Sequence, residues 1–405
     1  MKIPENLKKE ILEEVDRFHE RIVKIRHDIH QNPELSGQEK ETNLLLRSIL
    51  DAEGIPYKTF ENHYGLIADI VKDPHLPTVA IRGDMDALPM PENSDKPYAS
   101  QKPGIMHACG HDAHTSVALG CALVLNRHKE ALTGNVRIIF QPAEEVLEGG
   151  SSQMIEDGAL EGVSAIFGLH VYPYLRTGQI GYKYGVMMAS ADTFGFDIYG
   201  KTAHGARPHE GIDAVLVAAM AINSLNHIVS RRIDPLHPAV ISMGKIEGGN
   251  APNIICDFVT VAGTVRTVNA SVREKIPQMM ETTIKGICDA MDAKYHFRYE
   301  FGPPELKNND HMVDIVKEAG REVVGEKGLV DLIDPVMGGE DFARYLQLVP
   351  GAFFRLGICN EEKGTCVPQH NTRFDVDDDA LAIGMKILCL SAMEAALEAQ
   401  KRQDA

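Results

Sequence analysis

Residues 106–114 read MHACGHDAH, and this stretch decides how the surrounding chain is organised. Three histidines, one cysteine and one carboxylate lie within eight positions. Sulfur and imidazole ligands suit a divalent metal such as Zn²⁺, with Co²⁺, Ni²⁺ or Mn²⁺ as alternatives. Gly110 permits the tight backbone that turns Cys109 and His111 toward one point. An apolar helical pattern follows over residues 113–127, so the cluster is expected at a helix N-terminus. The alternative is a capped helix with incidental histidines.

Length and charge limit the classes of function. The chain has 405 residues, which predicts two domains, and a formal net charge of -17, which argues against binding nucleic acid or an anionic membrane. The seven cysteines are odd in number and lack a CxxC pair, as expected in a reducing compartment. Only Cys359 and Cys366 are close enough in sequence to pair, and we do not expect a disulfide between them. Neither a secretory signal nor a membrane-spanning segment is predicted, so a cytoplasmic protein is expected.

Strands and helices alternate through the first part of the chain. Three short apolar runs are predicted strands: Thr78–Arg82, Val136–Phe140 and Ala165–Leu169. The polar residues that follow them are Asp84 and Asp86, then Glu144 and Glu145, then His170. Each of these alone fits an ordinary turn or a solvated surface. In an open α/β sheet, however, residues that follow strands gather at the carboxyl edge, where ligands bind.

The pattern of the sequence changes near Ala191. Residues 191–302 contain strand, helix, strand, strand, helix and strand in that order, which is the ferredoxin-like split βαβ arrangement. Such a unit can fold alone, so we predict that it is inserted into the first domain. The predicted fold class is therefore α/β. A discontinuous domain of residues 1–190 and 303–405 carries the metal cluster, and an inserted α+β domain covers residues 191–302.

Five potential metal ligands follow from this organisation: Cys109, His111, Glu145, His170 and His370. They come from four loops at one predicted sheet edge. Five ligands suit two metals better than one, because each metal then keeps a position for water or substrate. One of two adjacent glutamates can bind metal while its neighbour stays free as a general base. Glu144 is the predicted base, and Asp86 is predicted to lie behind the ligands.

These motifs resemble those of the M20 metallopeptidase family, specifically its amidohydrolase branch of hippurate hydrolases, N-acetyl-diaminopimelate deacetylases and auxin-conjugate hydrolases. The motifs that carry the resemblance are residues 82–89, 107–114, 141–145, 168–170, 200–208 and 338–342, together with His370. They span nearly the whole chain in the expected order. The resemblance implies a mixed-sheet metallopeptidase catalytic domain with an inserted lid domain that dimerises.

The resemblance also implies how two divalent ions, Zn, Mn, Co or Ni, are bound in each subunit. Cys109 takes the place of an aspartate that bridges the two metals in the wider family. His111 and His170 are expected on one metal. Glu145 and His370 are expected on the other.

The remaining site residues are likewise implied by the resemblance. Glu144 matches the general base and Asp86 the catalytic-site aspartate of the family. Asp84 occupies the place of a metal-binding histidine, which leaves open which metal His111 binds.

Three residues of the inserted domain resemble lid residues of the family. His204 is similar to a lid histidine that crosses a dimer to help hold the scissile carbonyl. Asn253 and Arg266 resemble residues that bind the backbone or carboxylate groups of the substrate. For Arg266, a surface ion pair is the alternative.

The expected reaction is hydrolysis of the amide bond of an N-acyl amino acid by metal-activated water. A carboxypeptidase that acts on short peptides or N-blocked amino acids is the close alternative, because both enzymes cleave an amide next to a carboxylate. A non-enzymatic binding protein and a hydrolase with Cys109 as nucleophile are further alternatives. The expected partners are a small-molecule substrate and a second copy of the chain, with no nucleic acid and no membrane.

Overall fold

The structure is a computed structural model that describes residues 3–403, and it divides into two compact units. The large unit comprises Met1–Gly185, Lys307–Asp334 and Asp341–Ala405. The small unit comprises Val186–Leu306 and Pro335–Glu340. The small unit is thus longer at both ends than the predicted insertion of residues 191–302, and it also includes Pro335–Glu340, which was predicted to belong to the first domain.

The elements are numbered in chain order. The helices are α1 (Glu5–Gln31), α2 (Lys40–Ala52), α3 (His111–Arg127), α4 (Gly150–Glu156), α5 (Ala214–Arg231), α6 (Ala270–Ala290), α7 (Asp310–Val324), α8 (Ala343–Leu346) and α9 (Asp379–Gln403). The strands are β1 (Tyr57–Thr59), β2 (Leu66–Ile70), β3 (Thr78–Asp84), β4 (Asn135–Gln141), β5 (Val163–Arg176), β6 (Ile180–Tyr182), β7 (Gly185–Met188), β8 (Ser190–Tyr199), β9 (Ala203–His204), β10 (Ala239–Gly248), β11 (Ile254–Ile255), β12 (Phe258–Thr267), β13 (Lys294–Glu300), β14 (Leu306–Asn308), β15 (Leu329–Asp331) and β16 (Gly351–Cys359).

The large unit is built on one sheet of eight strands, in the order β1-β2-β4-β3-β5-β16-β6-β15. The central strands β4, β3, β5 and β16 run parallel to one another. The flanking strands β2 and β6 pair antiparallel with β4 and β16, so the sheet is mixed, as predicted. Because the central strands are parallel, the loops that follow β3 and β4 leave the sheet at the same edge.

Helix α3 packs against β3 and against the long helices α1 and α9. All of its residues from His111 to Leu125 are buried. Two glycines make this packing possible, because a Cβ on Gly83 would lie 2.7 Å from the His114 carbonyl oxygen and a Cβ on Gly120 would lie 2.0 Å from the Met385 sulfur. The N-terminus of α3 is therefore held directly against the end of β3.

Two helices, α5 and α9, are long and apolar enough to cross a bilayer by length and composition alone. Burial explains the composition of α9, because 78% of its most apolar window lies inside the protein. Only 33% of the corresponding window of α5 is buried. Val215, Leu216 and Met220 are exposed on α5. Helix α9 is thus a core helix, whereas α5 carries an exposed apolar face.

The small unit contains an antiparallel sheet in the order β10-β12-β8-β13. Along the chain its elements follow the order β8-α5-β10-β12-α6-β13, which is the βαββαβ pattern. Helices α5 and α6 pack on this sheet, with Phe196, Val217 and Met280 fully buried between the layers. Asp213 caps α5 by accepting hydrogen bonds from the backbone of Val215 and Leu216.

Two sequence predictions are wrong in detail. The apolar run predicts an end of β5 at Leu169, but β5 continues to Arg176 because β16 pairs with it over that length, so His170 lies inside a strand. Cys359 and Cys366, which were expected to stay unpaired, form a disulfide. Thr365 donates a hydrogen bond to the Ile358 carbonyl, and this turn brings the two cysteine Cα atoms to 4.3 Å from each other.

Candidate metal centre

Gly110 turns the chain at the N-terminus of α3. Its φ is 93°, in the left-handed region that favours glycine, and a Cβ there would lie 2.3 Å from Val171 Cγ2. Cys109 precedes this turn and His111 follows it as the first helical residue. The tight turn predicted from the sequence is therefore present, and it lies in a buried position where no larger residue fits.

The first group of converging side chains is Cys109, His111 and His170, whose potential ligand atoms all lie within 4.8 Å of one another. His170 Nδ1 lies 2.8 Å from the Val171 carbonyl oxygen, an acceptor, so Nδ1 donates and Nε2 keeps its lone pair. That Nε2 is 3.4 Å from Cys109 Sγ. His111 is held in the same way, with Nδ1 at 3.1 Å from Asp86 Oδ1. Histidines oriented by a carbonyl or a carboxylate are typical of metal sites.

The second group is Cys109, Glu145 and His370, again with potential ligand atoms within 4.8 Å of one another. His370 Nε2 lies 3.4 Å from Glu145 Oε1. The backbone of His370 adopts a positive φ of 57°, and its N–H donates to the Ala108 carbonyl. This bond ties the loop that carries His370 to the loop that carries Cys109. The two groups thus share Cys109.

Two buried atoms of these groups lack a hydrogen-bond partner within residues 3–403: His111 Nε2 and Glu145 Oε1. A buried polar atom without a partner costs free energy, so such atoms are rare unless water or an ion satisfies them. The two atoms lie 3.9 Å from each other, and nitrogen, sulfur and carboxylate oxygen together suit divalent transition metals. The residues present therefore fit a metal pair.

Burial shifts the pKa of His170 and of Cys109, whereas Asp84 and Cys109 raise the pKa of His111 well above its usual value against the effect of burial. Burial and the nearby His114 lower the pKa of His170 well below its usual value, so its imidazole is neutral, the state that binds metal. Burial and the neighbouring Glu145 raise the pKa of the Cys109 thiol well above its usual value. A thiol in this state is a poor nucleophile by itself.

Glu144 and Glu145 follow a turn in which Ala143 has a positive φ of 53°. The Glu145 backbone N–H donates to Asp86 Oδ2 at 3.0 Å, and the Asp341 N–H donates to Glu144 Oε1 at 3.4 Å. Glu144 comes within 4.8 Å of atoms of His111 and Glu145 but belongs to neither of the two groups that contain Cys109. Its carboxylate is therefore placed beside the ligands.

Asp86 joins three elements of the site. It is buried and accepts hydrogen bonds from His111, from Ser36 Oγ at 2.6 Å and from the Glu145 backbone. Although burial acts in the opposite direction, these bonds and the His111 charge lower the pKa of Asp86. A carboxylate kept ionised in this way fixes His111 and the Glu145 turn relative to each other.

A third group with metal-ligand spacing consists of Asp84, His111 and His114. Here the polar atoms of Asp84 and His114 already have partners: His114 Nδ1 donates to Asp84 Oδ1 at 2.6 Å, and its Nε2 accepts the Val171 N–H at 2.9 Å. Arg82 donates to the other Asp84 oxygen. Against the effect of burial, Arg82 and His111 hold the pKa of Asp84 well below its usual range. This group is therefore a buried hydrogen-bonded support rather than an open ligand site.

The three lid residues singled out from the sequence lie in the small unit. His204 pairs with Ile254 across β9 and β11 and is exposed, and its Nδ1 accepts the Ala206 N–H. Asn253 is exposed in the loop before β11, where its carbonyl accepts the Gly205 N–H. Arg266 is half-buried on β12, and its guanidinium has no hydrogen-bonding or ion-pair partner within residues 3–403.

Sequence reasoning missed Ser36 and Glu39, which support the site from the loop before α2. Ser36 binds Asp86, and Glu39 accepts the Ala143 N–H at 2.8 Å. The only signal for them is their position at the start of a predicted helix, where polar residues are ordinary caps. The sequence likewise gave no signal that Asp84 binds His114.

The family model for peptidase family M20/M25/M40 matches residues 80–394. The chain belongs to this family. The resemblance inferred from the motifs is confirmed.

Two curated relatives and one solved structure are similar to this M20 chain over nearly its full length. The N-acetyl-L-cysteine deacetylase of Bacillus subtilis is 39% identical and covers 89% of this chain and 84% of the relative. Thermostable carboxypeptidase 2 of Saccharolobus solfataricus is 38% identical, and the match covers 97% of this chain and 99% of the relative. The solved structure is that of the YXEP protein of Bacillus subtilis, a dinuclear metal binding peptidase from the M20 family. It matches with a TM-score of 0.80 at 35% identity, over 93% of this chain and 98% of that protein. This M20 chain is a metal-dependent hydrolase.

Proposed function

We propose that the protein hydrolyses the amide bond of N-acyl amino acids and that it uses two divalent metal ions, Zn, Mn, Co or Ni, per subunit. The observation that carries this proposal is the pair of ligand groups that share Cys109, with Glu144 beside them. Two groups that share one residue would leave each metal ion an open position for water or substrate. The deacetylase relative supports an N-acyl amino acid as the substrate.

The metal ions would be held by Cys109, His111 and His170 on one side and by Cys109, Glu145 and His370 on the other. When bound, they lower the pKa of water and supply positive charge near the scissile carbonyl. Every other contribution comes from the chain itself.

Glu144 is the proposed general base. It takes the proton from the attacking water and passes it to the leaving amine, because a carboxylate beside the ligands can serve both proton transfers. Asp86 keeps His111 in the orientation in which Nε2 faces the ligands. Glu145 remains fixed because its own backbone N–H is bound to Asp86.

Three residues of the inserted domain are proposed to complete the site. His204 would stabilise the oxyanion of the tetrahedral intermediate from its exposed loop. Arg266 would bind the substrate carboxylate through its two parallel N–H groups, since a half-buried guanidinium without a partner in residues 3–403 is available for an anion. Asn253, next to β11, is proposed to bind the substrate backbone.

The small unit is proposed to dimerise and to lend His204 to the partner's site. Strand β10 is at the edge of the small sheet, where unpaired backbone groups invite association. Its residue Val240 is exposed, and so are Leu216 and Met220 on α5. A two-fold contact through this edge would cover these apolar side chains.

The test of the proposed reaction combines metal analysis with a substrate screen. About two divalent ions per chain are expected, and EDTA should abolish hydrolysis of acetyl and benzoyl amino acids. His170→Ala and His370→Ala should each lower the metal content, because each removes a ligand from one group. Full metal content in both variants, or activity that is unaffected by EDTA, would contradict the proposal.

Release of a C-terminal amino acid from peptides is the second candidate function. The similarity to thermostable carboxypeptidase 2 favours this function, because the match covers 99% of that relative. A higher kcat/KM for dipeptides and N-blocked dipeptides than for N-acetyl and N-benzoyl amino acids would select it.

A further inference from the structure

The turn that carries Glu144 and Glu145 has an unfavourable backbone conformation. Ala143 precedes both glutamates with φ at 53°, in the left-handed region. For a residue with a Cβ this region is populated roughly five- to thirtyfold less than for glycine. Something in the surrounding structure must therefore hold Ala143 in place.

Glu39 is the side chain that holds it. The Ala143 N–H donates to Glu39 Oε1 at 2.8 Å, although the two residues are 104 positions apart. The Gly37 N–H donates to the same oxygen at 2.9 Å. On the other side of the turn, the Gly150 N–H donates to the Ala143 carbonyl. Both polar groups of the Ala143 backbone are thus fixed.

The carboxyl of Glu39 is fully buried, and its Oε2 has no hydrogen-bond partner among residues 3–403. A buried carboxyl with one oxygen unused costs stability. A glutamate that served only to fill the core could be an apolar residue. This cost in stability is explained if Glu39 Oε1 is needed to hold the backbone of Ala143.

The direction of the chain after Ala143 decides where the next two side chains point. If Ala143 returned to negative φ, the Glu145 N–H would leave Asp86, and the Glu145 carboxylate would leave Cys109 and His370. Glu144 would be displaced with it. The left-handed turn is therefore needed for the divergent placement of the two glutamates.

We propose that Glu39 is a positioning residue that holds Ala143 in the left-handed conformation and thereby directs Glu144 to the base position and Glu145 to the metal. This inference rests on the proposed roles of Glu144 and Glu145. Glu39 acts through the backbone and does not touch the substrate.

The experiment is a double-variant test built on Ala143. Glu39→Ala should lower kcat by about ten- to a hundredfold and weaken Zn²⁺ binding to the metal-free protein, with KM changed less than about threefold. Ala143→Gly removes the penalty of the left-handed conformation. Combined with E39A, it should therefore recover about fivefold or more in both kcat and Zn²⁺ affinity. Glu39→Gln should stay close to the unsubstituted protein, because its amide oxygen accepts both N–H groups.

Glu34 offers the matched control. It is a buried carboxylate of the same loop, but it accepts its hydrogen bonds from Glu41 and Thr42 at the start of α2. Glu34→Ala should lower stability, and A143G should bring no recovery of kcat in that background.

Recovery by A143G in the E39A background but not in the E34A background supports the proposal. No recovery in E39A, equal recovery in both, or an E39Q protein as impaired as E39A would overturn it. Should E39A fail to fold, Ala143→Val provides the test, because a β-branched residue disfavours the left-handed region while Glu39 stays in place. Unchanged kcat and Zn²⁺ affinity in A143V would then overturn the proposal. Zn²⁺ titration reports on the turn even if the proposed substrate is wrong.

Discussion

The Cys109 site and the His204 loop differ in how their side chains are held. In the large unit, His111, His170 and Asp86 are buried, and each is oriented by hydrogen bonds. In the small unit, His204 is exposed and is fixed mainly by its short pairing with Ile254. The buried site has one arrangement built into the fold. We propose that the exposed loop completes an active site only when another surface or a substrate meets it.

This difference predicts how substitutions in the two regions will behave. Changes in the buried site should alter chemistry or metal binding within one subunit. Changes in the small unit should act through substrate contact or through the partner subunit, with metal binding intact. The following variants test that contrast.

Glu144→Gln should have the largest effect. It keeps the shape of the side chain and removes its basicity, so kcat should fall by about a hundred- to ten-thousandfold while metal content is unchanged. Steady-state kinetics and metal analysis of the same preparation measure both. Glu148, which is exposed on the same loop, provides the control: E148Q should stay within about twofold. Loss of metal in E144Q would mean that the two adjacent glutamates have exchanged roles.

His204→Ala should lower kcat by about a hundredfold without loss of metal, as removal of one oxyanion donor does. His209→Ala, a change of another exposed histidine in the same region, should have little effect. Mixing H204A with E144Q under conditions of subunit exchange should restore about a quarter of the activity, because about half of the dimers are hybrids with one intact site. No recovery despite measured exchange would place His204 in its own subunit's site or outside any site.

Arg266→Lys should reduce kcat/KM by about five- to fiftyfold, mainly through KM, because a lysine cannot replace two parallel N–H contacts to a carboxylate. Substrate analogues in which the carboxylate is replaced by a carboxamide should have a lower kcat/KM than the substrate in the unsubstituted protein. This difference should disappear in R266K. An equal loss for substrates with and without the carboxylate would leave Arg266 as a structural residue.

Glu39→Gln should change how stability depends on pH. Burial raises the pKa of Glu39 to about 7, above its ordinary value of 4.5, so the folded state binds the proton more tightly than the unfolded state. The stabilising contribution of the protonated carboxyl is complete below about pH 4.5 and is lost as pH rises through about 7. Relative to E39Q, the unsubstituted protein should lose up to about 3 kcal/mol between these limits. Urea unfolding of the EDTA-treated proteins at several pH values measures the difference, and parallel pH profiles would contradict it.

The sequence predicted those features that leave a local pattern. Short apolar runs predicted the strands and apolar residues at helical spacing predicted the helices, because burial follows the geometry of each element. His170 shows the limit of this reasoning: it was expected after a strand but lies within β5, since the pairing with β16 extends the strand beyond its apolar run. The disulfide between Cys359 and Cys366 shows the same limit, because a turn rather than cysteine spacing brings the two residues together.

By itself, the sequence determined the family, the α/β class and the residue types that can bind metal, because motifs and periodicity are properties of short segments. Only the tertiary structure decided which nitrogen of His170 faces Cys109, that Asp84 is occupied by Arg82 and His114, and that Glu39 holds Ala143. These contacts join residues that are far apart in the chain and come from separate elements. Hydrogen bonds of this kind depend on how the sheet and its helices pack, and no local pattern records that packing.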